Sequence, residues 1–324
     1  MTSLDTFREE FVTYLNDKVV TKEPLNLYEP ILYILKLGGK RLRPVLTLMS
    51  CELFNSPYQK AMDAALAIEL FHNFSLIHDD IMDNAPLRRG EATVHEKWDL
   101  NTGVLSGDAM LILAYQFFEN YDSVTFQHLA KLFSKTAIQV CEGQQHDVDF
   151  ENRENVTIDE YLHMINYKTA VLVGAAMEMG AIIAGASKNS QKNIYEFGRN
   201  LGIAFQLQDD YLDVFGDPKL FGKQVGGDII SNKKTFLFLT ALKDASKEDA
   251  QELKHLYSIQ PKNPEDKIDA IVRVFKNSGA EDKTIQEIKK YTDKAILLLE
   301  ELELSENGKK QLAEFANQLI YRTV

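Results

Sequence analysis

AALAIELFHNFSLIHDDIMD, residues 64–83, joins an apolar helical pattern to an abrupt acidic end. Leu66, Leu70, Phe74 and Ile77 recur at helical spacing, so the stretch reads as one face of a buried helix. Asp79, Asp80 and Asp83 close it. FGRNLGIAFQLQDDYLD, residues 197–213, repeats the design and ends on Asp209, Asp210 and Asp213 with the same DDxxD spacing. Carboxylates at a helix C-terminus oppose the macrodipole and repel one another, so a chain that places them there twice needs cations to offset them. On a helix Asp79 and Asp83 share a face, with Asp80 about 100° away. All-oxygen ligation of this kind suits Mg²⁺ and not zinc.

Outward from these stretches the pattern stays helical. Period-2 runs of β-branched residues are absent, and turn signals at Gly38-Gly39, Asn55-Ser56-Pro57, Ala85-Pro86, Gly216-Asp217-Pro218, Gly226-Gly227 and residues 260–264 separate helical segments. No repeat or linker-like shift in composition interrupts the chain. The expectation is all-α, one domain over residues 1–324. With 45% hydrophobic and 26% charged residues, wholesale disorder is excluded. Lys plus Arg at 36 against Asp plus Glu at 48 gives a net charge of −12, which opposes binding to nucleic acid or anionic membrane. Two cysteines, Cys51 and Cys141, form no disulfide or zinc framework and read as small core residues in a reduced compartment. The polar, acidic start MTSLDTFREEF is unlike a signal peptide. Glu178 interrupts the apolar run 170–186, which reads as a buried helix and not a membrane span. A cytoplasmic location is expected.

Basic residues gather near the acidic clusters. GGKRLRP, residues 38–44, sets Lys40, Arg41 and Arg43 in a glycine loop entering a helix, and NAPLRRG, residues 84–90, adds Arg88 and Arg89. Lys168 and Thr169, Lys223, and Lys233 with Lys234 accompany other helices. Arginine forks and lysine point charges in this pattern suit phosphate oxygens around a metal centre, two diphosphates in all.

In order, GGKRLRP, SLIHDDIMDNAPLRRG, TVH, LSGDAMLILAY, GQQHD, YKTA and FQLQDDYLDVFGD, followed by GK and KKT, resemble the trans-prenyl diphosphate synthases. The match runs from about Gly38 to Thr235. The resemblance implies a large helical bundle around a central cavity, a homodimer, and condensation of isopentenyl diphosphate with an allylic diphosphate, head to tail, with loss of pyrophosphate. It implies three bridging Mg²⁺ ions, with Asp79, Asp83 and Asp209 as ligands and Asp80, Asp210 and Asp213 in support. Lys40, Arg43, His72 and Arg89 would hold isopentenyl diphosphate. Arg88, Lys168, Thr169, Gln206, Lys223 and Lys233 would hold the allylic diphosphate. No residue stands out as a general base, and the family pattern gives that task to the released pyrophosphate. Ala92, where proline is common, and His146, where an apolar residue is more usual, depart from the pattern.

The family's control of product length lies on the helix before the first cluster. Phe74 is five residues before Asp79, Ser75 four before and Phe71 eight before. An aromatic at the fifth position with an uninterrupted DDxxD resembles the geranylgeranyl-forming group, so a twenty-carbon product is expected. Phe71 would favour fifteen carbons if it shortened the cavity. An ideal wheel puts Phe74 about 140° from Asp79, so geometry alone does not nominate it. The rival readings are weaker. Glu69-x-x-His72 and Glu160-x-x-His163 are the pairs a di-iron bundle would need, but that leaves both DDxxD clusters unexplained. A terpene cyclase usually has one DDxxD and no isopentenyl clamp, and a non-catalytic partner subunit normally has eroded aspartates. Trp98 reads as packing for the loop after the arginines, and Arg322 as part of the tail.

Overall fold

A computed structural model describes residues 2–217 and 226–320. Its helices are α1 Leu4–Lys18, α2 Leu25–Lys36, α3 Leu42–Leu53, α4 Met62–Met82, α5 Val94–Lys97, α6 Leu100–Phe118, α7 Ser123–Asn152, α8 Ile158–Ile165, α9 Val171–Ile183 and α10 Lys188–Phe215. They continue as α11 Gly227–Ile230, α12 Phe236–Asp244, α13 Lys247–Leu256, α14 Glu265–Asn277, α15 Ala280–Leu297 and α16 Glu306–Ile320. The all-α expectation holds. β structure among the described residues is confined to a two-residue antiparallel pair, Leu87–Arg88 with Glu91–Ala92.

The chain divides into two compact units, one of residues 1–136 and 175–195, the other of residues 137–174 and 196–324. In the first, α4 is the central element and packs against α6, α3 and α2. Its first half is buried on every side: Ala64, Ala65, Leu66, Ala67, Ile68, Leu70 and Phe71 have no exposed surface. A helix apolar all round belongs in the middle of a core. Three alanines there leave room for the neighbouring helices. Phe71 meets Phe133 of α7 edge-on at 5.1 Å, and Phe133 meets Tyr115 and Phe118 of α6 at 4.8 and 5.2 Å. Such edge contacts suit the aromatic quadrupole. Ser3 and Asp99 cap α1 and α6 by accepting from the Thr6 and Thr102 amides.

In the second unit α12 is central and packs against α8, α13, α14 and α15. Phe236, Leu237, Phe238, Leu239 and Ala241 are all buried. A capping box between Thr157 and Glu160 starts α8, and a π turn, Asn166–Ala170, follows it. No helix among the described residues is long and apolar enough to cross a membrane. The run 170–186 contains the whole of α9, which is buried along most of its length, as expected. Both cysteines are free thiols, and Cys51 is buried. Cys141 corrects the core expectation: it lies on the outward side of α7 and is exposed. Trp98 packs edge-on against Tyr33 at 5.3 Å. Arg322 lies outside the described residues.

Candidate active site

In the first unit, α4 ends at Met82 and Asp83 is its C-cap, so the three aspartates occupy the last turn. Period 3.6 turns Asp80 inward while Asp79 and Asp83 face outward. Asp80 is buried and accepts two hydrogen bonds, from Arg88 Nε and Nη2, each at 2.7 Å. Arg88 also lies 3.8 Å from Asp79. The strand pair makes this possible. Arg89 and Gly90 link its strands with φ of 55° and 83°, a tight hairpin that sends successive arginines to opposite sides. Arg89 therefore reaches back and donates to the Gly38 carbonyl, its guanidinium filling the space beside Gly39.

The GGKRLRP loop enters α3 through Arg41, whose φ of 49° is left-handed. Arg41 is buried and donates to Glu69 and to the Leu35 carbonyl, and Asn73 Nδ2 donates to the same carboxylate at 3.0 Å. Arg43 lies 3.3 Å from His72 Nε2, and its Nε is buried without a hydrogen-bond partner. Burial holds the His72 imidazole well below its ordinary value of 6.5, with Arg43, Arg89, Arg88 and Arg41 adding to the effect. Burial also lowers Arg43, opposed by Glu69. The result is a nest of guanidinium groups around a neutral histidine beside the carboxylates, a place fit for an anion with several charges. Lys40 belongs to the same loop, its carbonyl 3.3 Å from Arg8 Nε. Arg41 and Glu69 were missing from the expected site. Arg41 was visible as a cation in the motif, but nothing in the sequence paired it with Glu69.

Phe74 is nearly buried and packs between Phe71 and His78, at centroid distances of 5.4 and 4.7 Å. Ser75 turns its hydroxyl onto the His72 carbonyl at 2.8 Å.

In the second unit α10 carries Asp209, Asp210 and Asp213 in its final turns. Asp210 is buried and accepts from the Tyr161 hydroxyl and from Gln206 Nε2 at 3.0 Å. Gln206 Oε1 in turn accepts from Thr169 at 3.1 Å. Burial, with Asp228 and Asp209 nearby, pushes the Asp210 carboxyl well above the usual range, while Tyr161 and Gln206 pull it back. Lys168 donates to Asp147 at 2.6 Å. Lys168 and Thr169 sit in the π turn, a local widening that often marks working residues. Two glycines make space for it. A Cβ on Gly143 would lie 2.2 Å from the Lys168 amide nitrogen, and one on Gly202 would lie 2.7 Å from Ala170 Cα. Asp213 accepts from the Asp228 amide at 2.9 Å, and Lys233 lies 3.8 Å from Asp228. Tyr161, Asp147 and Asp228 were not among the expected residues. The Asp in GQQHD was the available signal for Asp147, whereas Tyr161 gave none. Lys223 lies outside the described residues. His146 has ring contacts with His163 and Phe150 at 5.5 and 6.1 Å.

Asp79 and Asp83 at the end of α4, and Asp209 near the end of α10, offer carboxylate oxygens alone, a donor type that suits a hard cation such as Mg²⁺ better than zinc.

The sequence model of the polyprenyl synthetase family matches residues 24–275. The chain belongs to the polyprenyl synthetase family. It is 36% identical over 304 residues to a geranylgeranyl pyrophosphate synthase of Geoglobus acetivorans, covering 93% of this chain and 92% of that protein. It is 35% identical over 286 residues to a geranylfarnesyl diphosphate synthase of Natronomonas pharaonis, covering 83% and 82%. A solved geranylgeranyl pyrophosphate synthase superposes with a TM-score of 0.96 at 52% identity over 99% of both chains. As a member of this family the chain is a prenyltransferase, a trans-prenyl diphosphate synthase of the short-chain kind.

Proposed function

We propose that this synthase condenses isopentenyl diphosphate with an allylic diphosphate, using Mg²⁺, and that its main product has twenty carbons. The observation that carries the reading is the guanidinium nest around neutral His72, set beside the outward carboxylates of α4. Asp79, Asp83 and Asp209 would hold the metal, three ions per site. Bound Mg²⁺ would supply charge stabilisation to the departing pyrophosphate. Lys40, Arg43, His72 and Arg89 hold isopentenyl diphosphate. Arg43 brings a donor, Nε, that lacks a partner, and His72 brings an N–H without a charge to repel the arginines. Arg88, Lys168, Thr169, Gln206, Lys223 and Lys233 hold the allylic diphosphate. Asp80 and Asp210 act one step back: Asp80 aims Arg88, and Asp210 aims Gln206 and through it Thr169. Preorganised cations of this sort stabilise the charge that develops as the allylic C–O bond breaks. The terminal alkene carbon of isopentenyl diphosphate then bonds to the allylic carbon, and the released pyrophosphate takes the proton.

Phe74, with Phe71 behind it, would stop the growing tail; the geranylgeranyl synthases among the similar proteins support that length. The family match covers residues of both compact units, which supports one catalytic domain. A homodimer is supported by Val104, Leu105 and Ile112, exposed on one side of α6. Two free thiols fit a cytoplasmic location. The test is pyrophosphate release with each substrate alone and with both, before and after chelation of divalent cations. Release that needs both substrates and the metal supports the reading. Release from the allylic diphosphate alone would indicate a cyclase, and no release a partner subunit.

A further inference from the structure

Lys267, in the first turn of α14, is only 3% exposed. Its ammonium donates to Asn232 Oδ1 at 2.6 Å and to the Ile259 carbonyl at 3.0 Å, with the Tyr257 ring 5.9 Å away. Both acceptors are neutral. A buried ammonium normally requires an anion, and a methionine would fill the same space without the desolvation penalty. Burial correspondingly lowers the Lys267 pKa. The charge therefore needs a purpose, and its side-chain acceptor, Asn232, points to it.

Asn232 precedes Lys233 in the turn between α11 and α12 and has a left-handed φ of 55°. The start of α11, one helical turn before it, is held by Asp213, whose carbonyl accepts from the Gly226 amide at 2.7 Å and whose carboxylate accepts from the Asp228 amide at 2.9 Å. The Lys233 amide ties the turn to α11 by donating to the Asp228 carbonyl at 2.9 Å. The two lysines that follow Asn232 diverge. Lys234 donates to the Phe150 and Glu151 carbonyls at 2.7 and 3.1 Å, closing the end of α7. Lys233 keeps a half-exposed side chain beside Asp228.

We propose that Lys267 is a positioning residue for the allylic-diphosphate site: through Asn232 it fixes the turn that presents the Lys233 ammonium beside Asp228. This rests on the assignment of Lys233 given under Proposed function. A side chain serving only to hold α14 in place would show itself in stability. One that positions Lys233 shows itself in the affinity for one substrate of the two.

The experiment compares full-length wild type with Lys267→Met, Asn232→Ala, the double variant and Lys233→Ala. It measures Tm, kcat and the KM for farnesyl diphosphate and for isopentenyl diphosphate separately. Lys267→Met is expected to keep or raise Tm, to raise the KM for farnesyl diphosphate about tenfold and to leave that for isopentenyl diphosphate within about twofold. Asn232→Ala, which puts alanine at a left-handed φ and leaves the buried ammonium one acceptor short, is expected to lower Tm but to give the same KM pattern, and the double variant to match either single one in KM, because both act through one contact. An unchanged farnesyl diphosphate KM in Lys267→Met or Asn232→Ala, or an equal rise for both substrates, would overturn the inference. If Lys233→Ala raises that KM and Lys267→Met does not, the positioning role alone falls. If Lys233→Ala leaves it unchanged, the assignment of Lys233 falls and takes the positioning role with it.

Discussion

Arg88 lays two guanidinium nitrogens on the two oxygens of Asp80, both at 2.7 Å, although the aspartate ends a helix and the arginine opens a hairpin strand. Among the described residues Asp210, the matching residue of the second cluster, has no such cation on it and is held by Tyr161 and Gln206. Two motifs with one spelling thus differ in electrostatics. Asp80→Asn should strip the charge from a largely buried pair and lower stability by about 3 kcal/mol, the low end for such a pair because Arg88 is partly exposed. The released Arg88 would move onto Asp79, already 3.8 Å away, and compete with metal there. Denaturant unfolding, together with the Mg²⁺ concentration giving half-maximal rate, checks both effects, and the second should rise. Arg88→Lys should show the same rise, since lysine cannot form the two-pronged contact.

His72 gives the chain a pH signature. Its folded pKa lies well below 6.5, so in acid the unfolded chain binds a proton that the folded chain refuses. Stability from this residue is complete above 6.5 and is lost as pH falls below it toward the folded value. His72→Gln should therefore flatten the fall in stability below pH 6.5 by up to one proton, about 1.4 kcal/mol per pH unit. Unfolding free energies measured at a series of pH values would show parallel curves if His72 titrated normally.

Phe74→Ala, with Phe71 intact, should shift the product distribution to longer chains, read by separating the dephosphorylated alcohols. An unchanged distribution removes Phe74 from that role. Phe71→Ala is different in kind, because Phe71 is fully buried against Phe133. It should cost about 3–5 kcal/mol of stability.

Gly143→Ala should drive α7 off the π turn, since the added carbon would meet backbone and not a yielding side chain. Expected are a lower Tm and a larger loss of affinity for the allylic diphosphate than for isopentenyl diphosphate, because Lys168 and Thr169 ride on that turn. Equal losses for both would count against it.

Local patterns made much of this legible. The stripe Leu66, Leu70, Phe74 and Ile77 foretold α4, and its acidic end foretold the terminal placement of Asp79, Asp80 and Asp83, because helical periodicity is written in neighbouring residues. Two features escaped. The π turn at Asn166–Ala170 departs from the 3.6 period that pattern reading assumes, and its cause, the clearance beside Gly143 and Gly202, is tertiary. The Arg41–Glu69 and Tyr161–Asp210 contacts likewise join residues 28 and 49 positions apart, which no spacing rule connects. Asp80 and Asp210 were expected in support of the metal ligands; both are buried, Asp80 against Arg88 and Asp210 against Tyr161 and Gln206, contacts that no spacing rule names.

The most direct test of the central claim is a product assay: labelled isopentenyl diphosphate with allylic diphosphates of five, ten and fifteen carbons, with Mg²⁺ and with chelator. A metal-dependent, labelled twenty-carbon prenyl diphosphate is the expected result. Isopentenyl diphosphate left unconsumed with every starter would contradict it.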